Sequence, residues 1–142
     1  MTRPIIFSGA MVRKIIDGRK TQTRRVVTPG LCWESIGRGP LRPIVELCPY
    51  GQPGDRLWVR EAFALTQFKK PAYKADARDQ DGSYWASIAS DPHGVSWHAP
   101  IHMPRWASRI MLELTKVAAW NQHPWRWILT FHRVLEPCPP ED

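Results

Sequence analysis

Two long amphipathic segments near the C-terminus constrain the fold most. In ASRIMLELTKV, Ile110, Leu112 and Leu114 alternate with Arg109, Met111, Glu113 and Thr115. In WRWILTFHRV, Trp125, Trp127, Leu129 and Phe131 alternate with Arg126, Ile128, Thr130 and His132. Alternation with period two gives an extended chain one apolar and one polar face, so both segments read as half-buried strands. Only VAAWNQHP separates them, which makes an antiparallel hairpin the economical pairing.

The rest of the chain supplies shorter pieces. RPIIFSG reads as a short buried strand closed by Gly9. AMVRKIIDG reads as a helix with Met11, Val12, Ile15 and Ile16 on one face, stopped at Gly18, which can take the left-handed conformation of a helix C-cap. TQTRRVVT has strand composition, with too many polar groups on both faces for a central core strand. Residues 28–54 are rich in Pro and Gly and carry a short strand at PIVEL; a connection of that length is read as functional, a lid for instance, or as disordered. In PGDRLWVREAF a turn at Pro53-Gly54-Asp55 leads into a strand with Leu57 and Val59 facing one way and Trp58 and Arg60 the other. PAYKAD adds another strand, and DQDGSYWASIASDPHGVSWHAP reads as loops and short hairpin pieces. Several short strands with one early helix predict the α+β class: a small, mostly antiparallel sheet or barrel with an N-terminal helix and long loops. At 142 residues the chain is read as a single domain, 1–142.

Charge bounds the partners. The formal net charge is +7, and from Arg13 to Arg25 six cations (Arg13, Lys14, Arg19, Lys20, Arg24, Arg25) stand against one acid, Asp17. That balance favours a polyanion, a phosphorylated ligand or an anionic surface as partner. Arg13 and Lys14 also have a structural reading, as cations on the solvated face near a helix C-terminus. Cys32, Cys48 and Cys138 are an odd count without CxxC spacing, which suits neither a disulfide framework nor a zinc knuckle and fits a reducing cytoplasm. No run of about 18 apolar residues occurs, so no membrane span is expected.

The order FSGAMVRKIIDGRKTQTRR, PGDRLWVREAF, IHMPRWASRIMLELTKV and WRWILTFHRV resembles the ASCH superfamily, in particular its small phage and prophage forms, over most of the chain. The resemblance implies a PUA-like β-barrel with a pocket between barrel and helix that holds a nucleobase or RNA. Some small bacterial members are amidohydrolases that remove the acyl group from N4-acetylcytidine and related N4-acyl cytosines, using a lysine, a threonine three residues later and a glutamate. Gly18-Arg19-Lys20-Thr21-Gln22-Thr23 matches that segment, with Lys20 and Thr23 in the catalytic positions. The family glutamate belongs to a helical segment between the late strands, and VAAWNQHP is too short to hold it. Among Glu34, Glu46, Glu61, Glu113, Glu136 and Glu141, the expected replacement is Glu61, at the end of its strand beside Arg60; the other reading is a structural glutamate paired with an arginine.

Acyl transfer needs a nucleophile, oxyanion stabilisation and an acid for the departing amine. Thr23 serves as nucleophile if Lys20 is neutral, its pKa brought down by burial or by cations such as Arg19 and Arg24. Alternatively a charged Lys20 clamps the oxyanion while the glutamate activates water. Side chains three apart on a regular strand face opposite ways, so Lys20 and Thr23 cooperate only through irregular backbone between them. Arg19, Arg24, Trp33, Trp58 and Trp106 are the expected substrate contacts, the tryptophans by stacking on a base. Trp58 has a second reading as the sheet's other apolar face, and Trp125 and Trp127 are read as core. His98 and His102 have i, i+4 spacing, but Pro100 and Pro104 argue against a helix, so no zinc and no cofactor are expected. Two functions stay open: an amidohydrolase of N4-acylated nucleosides, and a non-catalytic RNA- or nucleotide-binding module.

Overall fold

The structure is a computed structural model and describes residues 2–27, 46, 48–66, 69–76, 97–120 and 126–135. In chain order the regular elements are β1 (Thr2–Ile6), α1 (Gly9–Ile16), β2 (Gln22–Val26), β3 (Arg56–Arg60), β4 (Phe63–Leu65), β5 (Pro71–Tyr73), β6 (Met111–Trp120) and β7 (Arg126–Val134). Short 3-10 turns occupy Lys74–Asp76, Pro100–His102 and Arg105–Ala107. No helix among the described residues is long and apolar enough to cross a membrane.

The late hairpin forms as its alternation requires, with β6 and β7 pairing antiparallel from Met111↔Val134 to Trp120↔Arg126. They lie inside a five-stranded sheet of order β1-β3-β6-β7-β2, in which only β1 and β3 run parallel. Leu112, Leu114, Trp127, Leu129 and Phe131 are buried in one core with Ile5, Leu57 and Val59. Each such side chain contributes about 1.5–3 kcal/mol by leaving water. Thr115 is an extra residue between the pairs Leu114↔Phe131 and Lys116↔Thr130, and its hydroxyl donates to the Thr130 carbonyl at 3.2 Å. This bulge changes the parity of β6, so that Val117 returns to the core after Leu114.

The segment read as a buried first strand is an edge strand: among the described residues β1 pairs with β3 alone, and only Ile5 of its five residues is buried. Edge position tolerates Pro4, which has no N–H for a ladder. β2 forms the other edge, which explains the polar character of TQTRRVV. Between the edges lies α1, capped by Ser8, whose Oγ accepts from the Met11 N–H at 3.5 Å. Val12 and Ile15 pack into the core and Ile16 against it; Met11, expected on the same face, is exposed.

The helix ends as its glycine predicts. Gly18 has φ +75°, its N–H donates to the Ile15 carbonyl and the Arg19 N–H to the Lys14 carbonyl, the double closure of a left-handed C-cap. The Lys20 N–H reaches the same Lys14 carbonyl at 3.1 Å. The chain then enters β2 at Gln22, leaving Lys20 and Thr21 outside the strand.

The Gly-Asp turn before β3 is locked by Asp55, whose carboxylate accepts from the Gln52 N–H at 2.8 Å. Gly51, at φ +111°, lies so close to that carboxylate that a Cβ would come within 2.6 Å of it. β4 and β5 make a separate two-stranded sheet beside the main one. There Phe63, Met103 and Ala107 form a second small core with Tyr73, whose hydroxyl donates to the Ala107 carbonyl at 2.7 Å. Residues 28–45 and 47 of the long segment, Trp33 among them, Trp125 and most of the loop before Trp97 lie outside the described residues.

Candidate functional site

The first site centres on Phe7, which follows β1 and is fully buried. Its N–H donates to the Arg60 carbonyl at 3.1 Å, one step beyond the register pair Ile6↔Arg60. Phe7 therefore sits beside the C-terminal end of β3, where Glu61 follows. The Lys20 ammonium lies 5.9 Å from the Phe7 ring centroid and the Arg25 guanidinium 4.9 Å from it. Both cations meet the negative face of one aromatic ring.

Lys20 is held below the ordinary lysine range, first by burial, then by the charges of Arg25 and Lys14. The cations involved differ from the expected Arg19 and Arg24. Arg19 is exposed and paired with Asp17 at 2.8 Å, and Arg24 lies on the exposed face of β2. Alternation gives the reason: Thr23 and Arg25 share the face opposite Gln22 and Arg24. Thr23 is only 5% exposed and stands in register with Leu129 of the core. Because β2 begins at Gln22, the backbone from Lys20 to Thr23 is not one regular strand, which meets the condition for the two side chains to share a site.

Glu61 is 1% exposed and is held by Arg109 in a two-pronged contact, Nε to Oε2 at 3.2 Å and Nη2 to Oε1 at 3.0 Å. The neighbouring Arg60, expected beside it, instead lays its guanidinium on Trp58. Arg109 also grips Asp76, at 2.7 and 3.0 Å, and stacks 4.0 Å from the Tyr73 ring centroid. One guanidinium thus orients two carboxylates, the planar fork being suited to bidentate pairing. Burial pushes the Glu61 carboxyl above the usual carboxylate range; the Arg109 hydrogen bonds and charge pull it down, and the Asp76 charge pushes it up.

The tryptophans separate. Trp127 is core, as expected. Trp58 is 7% exposed, its ring covered by the guanidiniums of Arg60 at 4.6 Å and Arg105 at 5.6 Å, so it presents no open stacking face. Trp106 is 54% exposed on the Arg105–Ala107 turn. His98 exchanges backbone hydrogen bonds with Phe63 and packs on its ring, while His102 ends a 3-10 turn. Among the described residues no group of three His, Cys, Asp or Glu has the spacing to hold a metal ion.

Two residues escaped the sequence reading. Arg25 was legible, since strand parity places it with Thr23. Arg109 was not, because its partners are 48 and 33 residues away in the chain. Comparison of the chain with protein-family models, with curated proteins and with solved structures finds no match.

Proposed function

We propose that the curled sheet is a PUA-like barrel of the ASCH type and that the protein is an amidohydrolase of N4-acylated cytosine or cytidine. The observation that carries this reading is the depressed Lys20 amine over Phe7, outside β2 and three residues before the inward-turned Thr23. A lysine that gives up its proton readily is the base a threonine hydroxyl needs.

In this reading neutral Lys20 takes the proton of the Thr23 hydroxyl as its oxygen attacks the acyl carbon. The tetrahedral intermediate collapses with cleavage of the bond from the acyl carbon to N4, and the departing N4 takes a proton from protonated Glu61. Water then attacks the acyl-threonine, giving one proton to the Glu61 carboxylate, while the Thr23 oxygen leaves with the proton held on Lys20. The raised carboxyl of Glu61 favours its acid form, and the lowered amine of Lys20 favours its base form.

The experiment is release of cytidine from N4-acetylcytidine by the purified protein beside Lys20→Ala, Thr23→Ala and Glu61→Gln. Turnover by the parent protein and its loss in the first two variants is the expected result. A folded protein that leaves every N4-acyl cytosine intact overturns the reading.

A further inference from the structure

Arg109 joins three segments of the chain, and backbone contacts fix each of them. Residues 108–110 run along the end of β3: the Ser108 hydroxyl donates to the Val59 carbonyl at 2.8 Å, and the Val59 N–H to the Ile110 carbonyl at 3.0 Å. From there the Arg109 side chain reaches Glu61, two residues beyond Val59, and Asp76, the last residue of the Lys74–Asp76 turn. That turn is pinned in its own right. The Lys74 N–H donates to the Ala62 carbonyl at 3.0 Å, the Arg13 guanidinium of α1 donates to the Ala75 carbonyl at 3.2 Å, and Ala75 is buried beside Gly9 at the start of α1. Both carboxylates are therefore brought to the guanidinium by fixed backbone.

Two carboxylates share one guanidinium, so the cluster is net negative when every group is ionised. The three side chains differ in access to water: Asp76 is 36% exposed, Arg109 23% and Glu61 1%. Burial penalises a charged form, so water supports the charge on Asp76 and not on Glu61. Asp76 also makes the shortest contact, 2.7 Å to Nη1, with a second of 3.0 Å to Nη2, against 3.2 and 3.0 Å for Glu61. An Arg109–Asp76 pair is neutral, and beside a neutral pair the desolvated Glu61 is the carboxyl that holds a proton. Without the Asp76 charge the guanidinium would face Glu61 alone, and a lone opposite charge in contact favours the carboxylate. Arg13, Arg60, Lys74 and His98 stand on the adjoining segments; among the described residues none of them makes a hydrogen bond or ion pair with Glu61.

We propose that Asp76 is a positioning residue of the candidate site: it occupies and neutralises Arg109, and so leaves Glu61 as the carboxyl that carries a transferable proton. The use of that proton in catalysis rests on the amidohydrolase reading, in which Glu61 supplies it to the departing N4; the effect of Asp76 on Glu61 does not. Asp76 touches no reacting atom in this scheme and acts through the guanidinium. The arrangement accounts for an acid held against an arginine, a contact that on its own would keep it ionised. The influences on Glu61 have matching directions, upward from burial first, downward from Arg109 and upward from the Asp76 charge.

The test follows the side-chain carboxyl carbons of Glu61 and Asp76 by NMR across the acid range, in wild type, Asp76→Asn and Asp76→Glu. In wild type the Glu61 signal is expected to move with a midpoint above 4.5 while the Asp76 signal holds its ionised position. Both signals moving together overturns the proposal, and this arm decides even if a variant does not fold. Asp76→Asn keeps a carbonyl for Arg109 and removes the charge; the Glu61 midpoint is expected to fall below that of wild type, and Asp76→Glu to restore it. An unchanged or higher midpoint in Asp76→Asn overturns the proposal. Cytidine release from N4-acetylcytidine is measured on the same proteins. Asp76→Asn is expected to lower kcat by the factor by which the protonated fraction of Glu61 falls, to leave KM unchanged, and to displace the limb of the pH profile set by Glu61 to lower pH. Turnover unaffected by Asp76→Asn while the Glu61 midpoint falls removes Asp76 from the site. A folded wild type that releases no cytidine overturns the amidohydrolase reading, and the titration still decides which carboxyl carries the proton.

Discussion

The Arg25 guanidinium donates to the Ile6 carbonyl at 2.5 Å, joining β2 to β1, the two edge strands of a sheet whose backbone ladder does not close among the described residues. The same guanidinium lies over Phe7 and lowers Lys20, so closure of the sheet and the tuning of the candidate base share one side chain. Removing it separates the two effects.

Arg25→Ala is expected to lower the unfolding free energy by about 2 kcal/mol, the range for a hydrogen bond from a charged donor. Urea denaturation measures it. In the same variant the Lys20 amine should titrate closer to 10.5 while staying below it, because burial is the larger cause of its depression. NMR titration of the amine reads this directly.

Lys20 also makes stability depend on pH in a defined direction. Its folded pKa lies below its unfolded one, so between the two the unfolded chain binds more protons and stability rises with pH. The rise levels off above 10.5, where both states become neutral. The difference in unfolding free energy between wild type and Lys20→Met, followed from neutral pH upward, should grow in favour of the wild type.

Glu61 has the opposite sign. Its folded pKa is raised above 4.5, so as pH climbs through the interval between 4.5 and the folded value the native state holds the extra proton and stability falls. Glu61→Gln should remove that fall. Denaturation curves of the two proteins across the acid range are the measurement, and parallel pH profiles would contradict the assignment.

Arg109→Met leaves two carboxylates without their shared guanidinium, one of them fully buried. Breaking a buried pair from one side costs about 3–5 kcal/mol, and partial exposure of Arg109 and Asp76 places this case near the lower figure. A loss below about 1 kcal/mol in chemical denaturation would show that the clamp is not what holds Glu61.

The parts of the fold that were legible are those with a long period. The late hairpin and β3 carry alternation that survives any packing, and Gly18 announced the helix end. β1 was misread as buried because an apolar run such as PII looks the same at an edge as in the centre; pairing decides, and pairing is not local. For the candidate site, Lys20 and Thr23 came from a motif, whereas Arg25 was missed in favour of Arg19 and Arg24 although strand parity puts it on the face of Thr23. The Glu61–Arg109–Asp76 clamp joins three distant segments, so no window of sequence contained it.

The bulge at Thr115 separates pattern from shape. A chain lacking that residue would place Leu114, Lys116 and Val117 in unbroken alternation opposite Phe131, Thr130 and Leu129, with each side chain on the face it has now. What such a deletion would take away is the local bend, since an extra residue in one strand increases its twist. The hydrophobic pattern would read as more regular while the sheet lay flatter, and the reach from Arg25 to Ile6 would lengthen. In this protein the irregularity of β6 is carried by an exposed residue that contributes nothing to the core.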